Sequence, residues 1–395
     1  MTKGKDVLKD EPSRTGGVSP ETSRAIAIMR FILPFAVMAV HVYHTQDVRI
    51  KGMFYDFADY PIARGVMYFV RAFVADFSVP CFFFISGYLF FSSGFSRDIY
   101  RRKLKSRCRS LLVPYILWNA IMAGYMAFRY TPLFTAFAPS LAGQSLDMSV
   151  GEFFYGLTLE PHNGTLWFLR NLMVMVVISP LIYYLVKRLR WIIIGIFWCV
   201  WAAFIVFTRN YDIINATQSV LFFSTGCAFA VMGKDPVATM SRGLTAACII
   251  FGVLGITGFT MCYFTHWTNI KVLKPFSVPS ALVIAFSLSW LWGKSRMRKR
   301  LLGQHALSDR YPGLSFMIFT AHYLLIFDMV ILVFTVVRPT TDAGVAGCVI
   351  LSYVGIALCI ALCYRLLGFW PAAQRLLTGR AGKKKKKHAA ATAAT

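Results

Sequence analysis

Long apolar stretches separated by short polar segments dominate the chain. Each stretch is near the roughly 20 residues that an α-helix needs to cross a bilayer. The pattern predicts an all-α polytopic membrane protein with about ten transmembrane helices packed in one bundle. The stretches lie at roughly 24–45, 67–91, 110–130, 165–186, 191–208, 213–233, 243–265, 275–293, 312–337 and 343–368.

The two ends of the chain are polar and differ from this apolar body. Residues 1–23 are rich in charged and small polar residues, which predicts a disordered N-terminal segment. Residues 24–370 form the predicted transmembrane domain. Residues 371–395 contain five consecutive lysines followed by an alanine-rich end, so we expect a basic low-complexity tail.

Composition and charge support a membrane protein. Hydrophobic residues make up 57% of the chain, more than a soluble domain of this size can bury. The formal net charge of +25 is also typical of nucleic-acid-binding proteins. However, Lys and Arg are concentrated in alternate loops, and the loop at 131–163 contains neither. This alternation predicts that both termini are cytoplasmic, with the lipid bilayer and not nucleic acid as the partner.

The nine cysteines indicate no metal centre. They contain no CxxC spacing and lie mostly within apolar stretches. Free cysteines in such positions usually act as small buried hydrophobic residues. We therefore predict no metal site.

Arg30 and His41 are the most informative polar residues, because both lie in the first apolar stretch. Eleven residues correspond to about three helical turns, so the two side chains share one helix face and lie about 16 Å apart along the axis. Charged residues inside a membrane usually face a protein interior or an aqueous cavity. Imidazole titrates near neutral pH and is a common general base. The alternative is that His41 is a packing residue hydrogen-bonded to a neighbouring helix.

Three further polar residues are supporting candidates. Asp76, in the second stretch, is expected at the depth of His41, where it either pairs with the imidazole or forms a salt bridge to Arg71 or another helix. Ser86 precedes Gly87; either the pair leaves room and a hydroxyl beside a bound acyl group, or the glycine permits close helix packing. His322, in the ninth stretch, is either functional or a satisfied interhelical contact.

A basic run, RRKLKSRCR at residues 101–109, precedes the third stretch. Such a juxtamembrane run is usually a topology anchor. The same charges also suit a polyphosphate ligand, because guanidinium groups bind phosphate oxygens in a bidentate manner. Both interpretations stay open on charge alone.

Taken together, these motifs resemble the acyltransferase 3 family of integral-membrane acyltransferases. The resemblance covers about residues 21–370 and makes 24–370 an acyltransferase domain. It rests on R-x10-H at Arg30 and His41, FFFISGYLFF at 82–91, YRRKLKSRCRSLLVPYILWN at 100–119, GTLWFLRNLMVMVVISPLIYYL at 164–185, and GLSFMIFTAHYLLI at 313–326.

The resemblance implies a multi-pass enzyme of the inner (plasma) membrane that transfers an acyl group, often acetyl, from cytoplasmic acyl-CoA. The acceptor is a hydroxyl of a cell-envelope carbohydrate or its lipid-linked precursor, which would make the protein an O-acetyltransferase. His41 would be catalytic and Arg30 its supporting cation. Arg101, Arg102 and Lys103 would correspond to the basic motif that holds the CoA donor.

The same resemblance implies acyl-CoA as a donor substrate and no permanently bound cofactor. A separate extracytoplasmic transfer protein is a further expected partner, since the chain lacks the C-terminal soluble domain of some family members. His41 would act either as a general base or as a transient acyl carrier. The competing hypothesis is a transporter or flippase for a glycolipid or small anion, with Arg30, His41, Asp76 and His322 along its path.

Overall fold

The computed structural model describes residues 17–43, 47–50, 53–137, 149–208, 210–264, 270–295 and 313–379. Most of these residues are helical, which confirms the all-α prediction. Residues 1–16 and 380–395, within the predicted disordered segment and basic tail, lie outside the described residues.

The elements of the described chain follow one another in a simple order. They are α1 (Pro20–Val42), β1 (Asp47–Ile50), β2 (Met53–Asp56), α2 (Pro61–Phe69), α3 (Ser78–Phe91), α4 (Arg97–Arg107), α5 (Val113–Arg129), α6 (Pro132–Phe137), α7 (Val150–Thr158), α8 (Trp167–Leu189), α9 (Trp191–Phe207), α10 (Tyr211–Val231), α11 (Pro236–Met240), α12 (Leu244–Phe264), α13 (Lys274–Lys294), α14 (Leu314–Val337), α15 (Asp342–Leu366) and α16 (Pro371–Leu377).

Eight helical segments of the described chain are long and apolar enough to cross a membrane. Two shorter apolar helices, α3 and α9, coincide with the remaining predicted stretches. The chain is therefore a multi-pass membrane protein. Residues 371–377, assigned to the tail by sequence, form the short helix α16, and Nε1 of Trp118 in α5 donates to the Leu377 carbonyl over 2.9 Å.

The second and third stretches contain wider helical turns that the apolar pattern does not reveal. A π-helical segment, Val70–Ala75, separates α2 from α3, and another, Cys108–Leu112, joins α4 to α5. The basic run, expected to be a loop, is therefore the end of a helix that continues into α5. π-Helical turns are frequent at functional sites, and each shifts the following helix face by about one residue.

The first helix lies at the centre of the bundle. Ser19 caps its N-terminus by accepting from the Thr22 N–H over 3.2 Å, and Pro20 occupies the first helical position, where its missing N–H costs no hydrogen bond. The helix then packs against α3, α13, α14 and α15. Pro34 lies inside it and cannot donate to the carbonyl one turn earlier, which belongs to Arg30.

A small β-hairpin follows α1, although the apolar pattern predicted only helices. β1 and β2 pair antiparallel, with Val48 opposite Tyr55. Tyr55 and Phe57 then pack on Phe334 near the end of α14, with ring centroids 5.1 and 6.1 Å apart. The hairpin thus lies at the same end of the bundle as the C-terminus of α14.

Helices α3 and α10 pack closely, and two glycines make this close approach possible. A Cβ added to Gly87 would lie 2.1 Å from the Phe223 carbonyl oxygen, and one added to Gly226 would lie 2.1 Å from the Phe84 carbonyl oxygen. Both obstacles are backbone atoms, which cannot rotate away. Small residues of this kind let membrane helices approach closely, so Gly87 supports the packing interpretation of the Ser86–Gly87 pair.

Gly87→Ala is therefore expected to destabilise the protein by about 1–3 kcal/mol, because the added methyl group forces two backbones apart. The matched control is Gly252→Ala in α12, where the new methyl group meets no heavy atom within 4 Å. Thermal unfolding of the purified protein in detergent checks this expectation. An unchanged unfolding temperature for Gly87→Ala would contradict the close packing.

The N-terminal end of α1 is joined to the α10–α11 loop by Asp235. Its carboxylate accepts hydrogen bonds from the Ser19 and Thr22 hydroxyls, the latter at 2.8 Å, and from the Ala238 N–H at 2.9 Å. Partial burial acts to raise the pKa of Asp235, but these hydrogen bonds outweigh it and lower the pKa below its usual value. The ionised form is therefore the one that stabilises this junction.

Asp235→Asn is expected to lower the unfolding temperature by a few degrees at neutral pH, because the amide accepts fewer of these hydrogen bonds. A carboxyl group whose pKa is lowered on folding stabilises the fold fully at pH values above its unfolded-state pKa. This stabilisation is lost as the pH falls through the folded-state pKa. The difference between wild type and variant should therefore be constant above about pH 5 and shrink below the usual value of 3.8. Unfolding curves at several pH values test this; a difference that grows on acidification would contradict it.

Candidate active site

His41 lies one residue before the end of α1 and faces two aromatic side chains of α14. Its half-buried ring is 5.4 Å from the His322 ring and 5.8 Å from the Tyr323 ring, measured between centroids. The Tyr323 ring stands nearly perpendicular to His41, at 82°. Two histidines expected in separate membrane segments thus meet in one cluster.

The His322 side chain is completely buried. Its Nδ1 lies 2.7 Å from the Ile318 carbonyl oxygen, one turn earlier in α14. A carbonyl can only accept, so Nδ1 carries the hydrogen and donates it. Nε2 of His322 is buried with no hydrogen-bond partner among the described residues.

A polar network links α5 and α14 through the turn before α8. The Asn163 side chain donates to the Thr320 carbonyl over 2.8 Å, and its backbone N–H donates to the Asn119 side chain over 3.2 Å. The next residue, Gly164, allows close approach, since a Cβ there would lie 3.0 Å from the Tyr323 hydroxyl. The turn therefore holds the α14 residues that contact His41.

Arg30 occupies the same face of α1 as His41, about 16 Å nearer the N-terminus. Its side chain is exposed, although α1 packs against α3, α13, α14 and α15. Arg107, the last residue of α4, lies close enough to feel the positive charge of Arg30. Among the described residues, no carboxylate forms an ion pair with either guanidinium.

Arg101, Arg102 and Lys103 are the predicted donor-binding residues. Their surroundings differ from those of Arg107. Arg101 and Arg102 are exposed. The Lys103 ammonium donates to the Phe90 carbonyl and lies 5.0 Å from the centre of the Phe90 ring, which ties α4 to the end of α3. Arg107, which the sequence interpretation did not select, is the residue of the run that lies close enough to feel the charge of Arg30.

Helical periodicity contains the signal that identifies Arg107. Tyr100, Lys103, Leu104 and Arg107 follow the spacing of one helix face, and all four are half-buried, whereas the intervening basic residues are exposed. Tyr100 marks this face as the inner one, because its hydroxyl donates to the Val177 carbonyl of α8 over 3.0 Å. The helix-face pattern of the run therefore points to Arg107.

Asp76 and Ser86 are less closely connected to the cluster. The Asp76 carboxylate forms an ion pair with Lys274 of α13 at 2.6 Å, which is the predicted alternative of a salt bridge to another helix. Ser86 is half-buried beside the tight contact at Gly87. Asp76 therefore joins two helix ends, and Ser86 lies at a packing interface.

The histidine cluster is recessed within the bundle. Beyond His322, α14 continues for fifteen residues to Val337, which corresponds to about 22 Å of helix. The hairpin packs near the end of this extension, at Phe334.

The arrangement combines a basic site and an imidazole site along one face of one helix. Two guanidinium groups that lie within range of each other's charge, and that form no ion pair with a carboxylate among the described residues, favour an anion, most strongly a phosphate. Imidazole side chains can accept and return a proton at neutral pH. The two sites are separated by about half a bilayer thickness.

Comparison with known proteins shows the family to which the chain belongs. The chain is similar to the succinoglycan biosynthesis protein ExoH of Rhizobium meliloti (strain 1021), with 27% identity over 325 residues that cover 77% of this chain and 78% of that protein. No solved structure matches the chain. Residues 24–364 match the acyltransferase domain model of the acyltransferase 3 family. The chain therefore belongs to the acyltransferase 3 family and is a multi-pass membrane acyltransferase.

Proposed function

We propose that this protein transfers an acyl group, with acetyl as the first candidate, from cytoplasmic acyl-CoA to a hydroxyl of a cell-envelope carbohydrate or its lipid-linked precursor. The enzyme would act in the plasma membrane. The observation that carries the proposal is the alignment of the Arg30–Arg107 pair with His41 along one face of α1. Similarity to a protein of succinoglycan biosynthesis supports a polysaccharide-related acceptor.

The donor would bind through its phosphates at Arg30 and Arg107. Two like charges that repel each other inside a membrane protein are costly unless an anion neutralises them. A diphosphate provides several oxygens for bidentate contacts with both guanidinium groups. The exposed Arg101 and Arg102 then contribute to general electrostatic attraction and not to specific contacts.

The separation of the two sites matches the shape of the donor. Between the diphosphate and the sulfur, the pantetheine arm is about as long as five extended residues, roughly 17 Å. Arg30 and His41 are about 16 Å apart along α1. A donor held by its phosphates at Arg30 and Arg107 would therefore present its thioester near His41.

At the thioester, His41 would act as a general base. Its imidazole removes the proton from the acceptor hydroxyl as the oxygen attacks the acyl carbon. The new C–O bond forms, the C–S bond breaks, and the proton passes from His41 to the departing sulfur as CoA thiol. Acceptor and donor would approach His41 from opposite ends of the bundle.

The test is release of CoA thiol by the purified protein with acetyl-CoA or succinyl-CoA as donor and cell-envelope glycan as acceptor. Release that requires the glycan, with the acyl group recovered on it, supports the proposal. A folded protein that carries glycan across vesicles without consuming any acyl-CoA would contradict it and favour the transporter hypothesis.

A further inference from the structure

We propose that His322 is a positioning residue for His41: its buried Nε2 accepts a hydrogen bond from the His41 imidazole when that ring carries the reacting proton. This inference rests on the proposed function, because it assigns His322 a role in the step at His41. It concerns a side chain that makes no contact with the donor site at Arg30 and Arg107.

The tautomer of His322 is fixed by its own helix. Nδ1 donates to the Ile318 carbonyl over 2.7 Å, so in the neutral ring Nε2 carries the lone pair. This atom is completely buried and has no partner among the described residues. An unpaired buried polar atom costs free energy, which indicates a partner that is supplied in another state of the site.

His41 is in the right position to be that partner. An edge-to-edge hydrogen bond of ordinary length, about 2.9 Å between nitrogens, brings two imidazole centroids to roughly 5 Å. The observed separation is 5.4 Å, with the rings tilted by 42°. The separation of the two rings is therefore compatible with a hydrogen bond from a His41 N–H group to His322.

The surroundings hold His322 in place. The carbonyl of Thr320, two residues before His322, is bound by Asn163, and the hydrogen bond of His322 itself lies within α14. Tyr323 flanks His41 at 82°, next to Gly164. His322 is therefore the fixed hydrogen-bond acceptor, and His41 is the ring that takes up and returns the proton.

The hydrogen bond matters most when His41 has taken the proton from the acceptor hydroxyl. The imidazolium then carries two N–H groups, and one must return its proton to the thiolate. If the other donates to Nε2 of His322, the ring is held in one orientation and its charge is stabilised. No proton is transferred to His322, so the balance of the reaction is unchanged.

Three substitutions separate this role from simple packing. His322→Gln places an acceptor oxygen near the position of Nε2, His322→Asn reaches only the position of Nδ1, and His322→Phe keeps the ring but has no acceptor. We expect Gln to retain kcat within about tenfold. Asn and Phe should lower kcat by about a hundredfold, at the lower end of a general-base contribution, with donor KM unchanged. Size-exclusion profiles in detergent confirm folding.

Equal kcat values for the Gln, Asn and Phe variants would overturn the inference. It would also be overturned if the substitutions raised donor KM instead of lowering kcat. A second measurement uses the His41→Ala background, where His322→Asn should cause no additional loss of residual transfer; a further loss would show that His322 acts independently. The two proposals fail separately. Folded wild-type protein that transfers no acyl group from acyl-CoA to glycan refutes the proposed function, whereas inactive His41→Ala with fully active His322→Asn refutes only the role of His322.

Discussion

Replacing His41 with alanine is expected to reduce acyl transfer by a factor of about 10²–10⁴, the usual contribution of a positioned general base. The imidazole is half-buried near the end of α1, so its loss should leave the helix and membrane insertion intact. The measurement is the rate of acceptor-dependent CoA thiol release, normalised to folded protein.

A suitable control for the same helix is Phe31→Ala, which removes a half-buried side chain next to Arg30 without touching the histidine cluster. It should retain transfer at a rate near that of the wild type. His41→Ala with wild-type kcat would show that the proton is removed by another group, and the assignment of the reacting residue would be wrong.

Arg107→Gln is expected to raise donor KM by about ten- to hundredfold, because a charge-assisted contact to phosphate contributes roughly 1.5–3 kcal/mol. The acceptor KM should not change, since Arg107 lies within range of the charge of Arg30, and Arg30 is about 16 Å from His41 along α1. Initial rates over a range of acetyl-CoA concentrations provide the measurement.

Arg101→Gln and Arg102→Gln are matched controls, because they remove the same charge from exposed positions of the same helix. Each should raise donor KM by less than about threefold at physiological salt, where exposed charges are largely screened. Arg101→Gln or Arg102→Gln could instead raise donor KM as strongly as Arg107→Gln. In that case the sequence interpretation of the basic run was right, and Arg30 and Arg107 do not form the specific donor site.

Sequence alone revealed the features that depend on local spacing. The length of the apolar stretches predicted the helices, and the eleven-residue separation predicted that Arg30 and His41 share one face of α1. The Ser19–Pro20 start of that helix is also a local signal. Arg107 was accessible to the same reasoning, since its position on the inner face of α4 follows from a helical period of 3.6 residues.

Other features depend on tertiary contacts that no local pattern encodes. The meeting of His41 with His322 is a packing result between helices almost 300 residues apart. The close approach at Gly87 requires its partner surface at Phe223, and a lone glycine does not reveal one. The π-helical turn at Cys108–Leu112 has no distinctive composition, so the continuation of α4 into α5 was not expected.

The most direct test uses sealed vesicles that contain the protein in one orientation, with acyl-labelled acetyl-CoA on the face that exposes Arg30 and Arg107 and acceptor glycan enclosed on the opposite face. We predict that label appears on the enclosed glycan at a rate that depends on His41, while CoA thiol accumulates on the donor side. Labelling that occurs only when donor and glycan are on the same side would contradict a donor and an acceptor that reach His41 from opposite ends of the bundle.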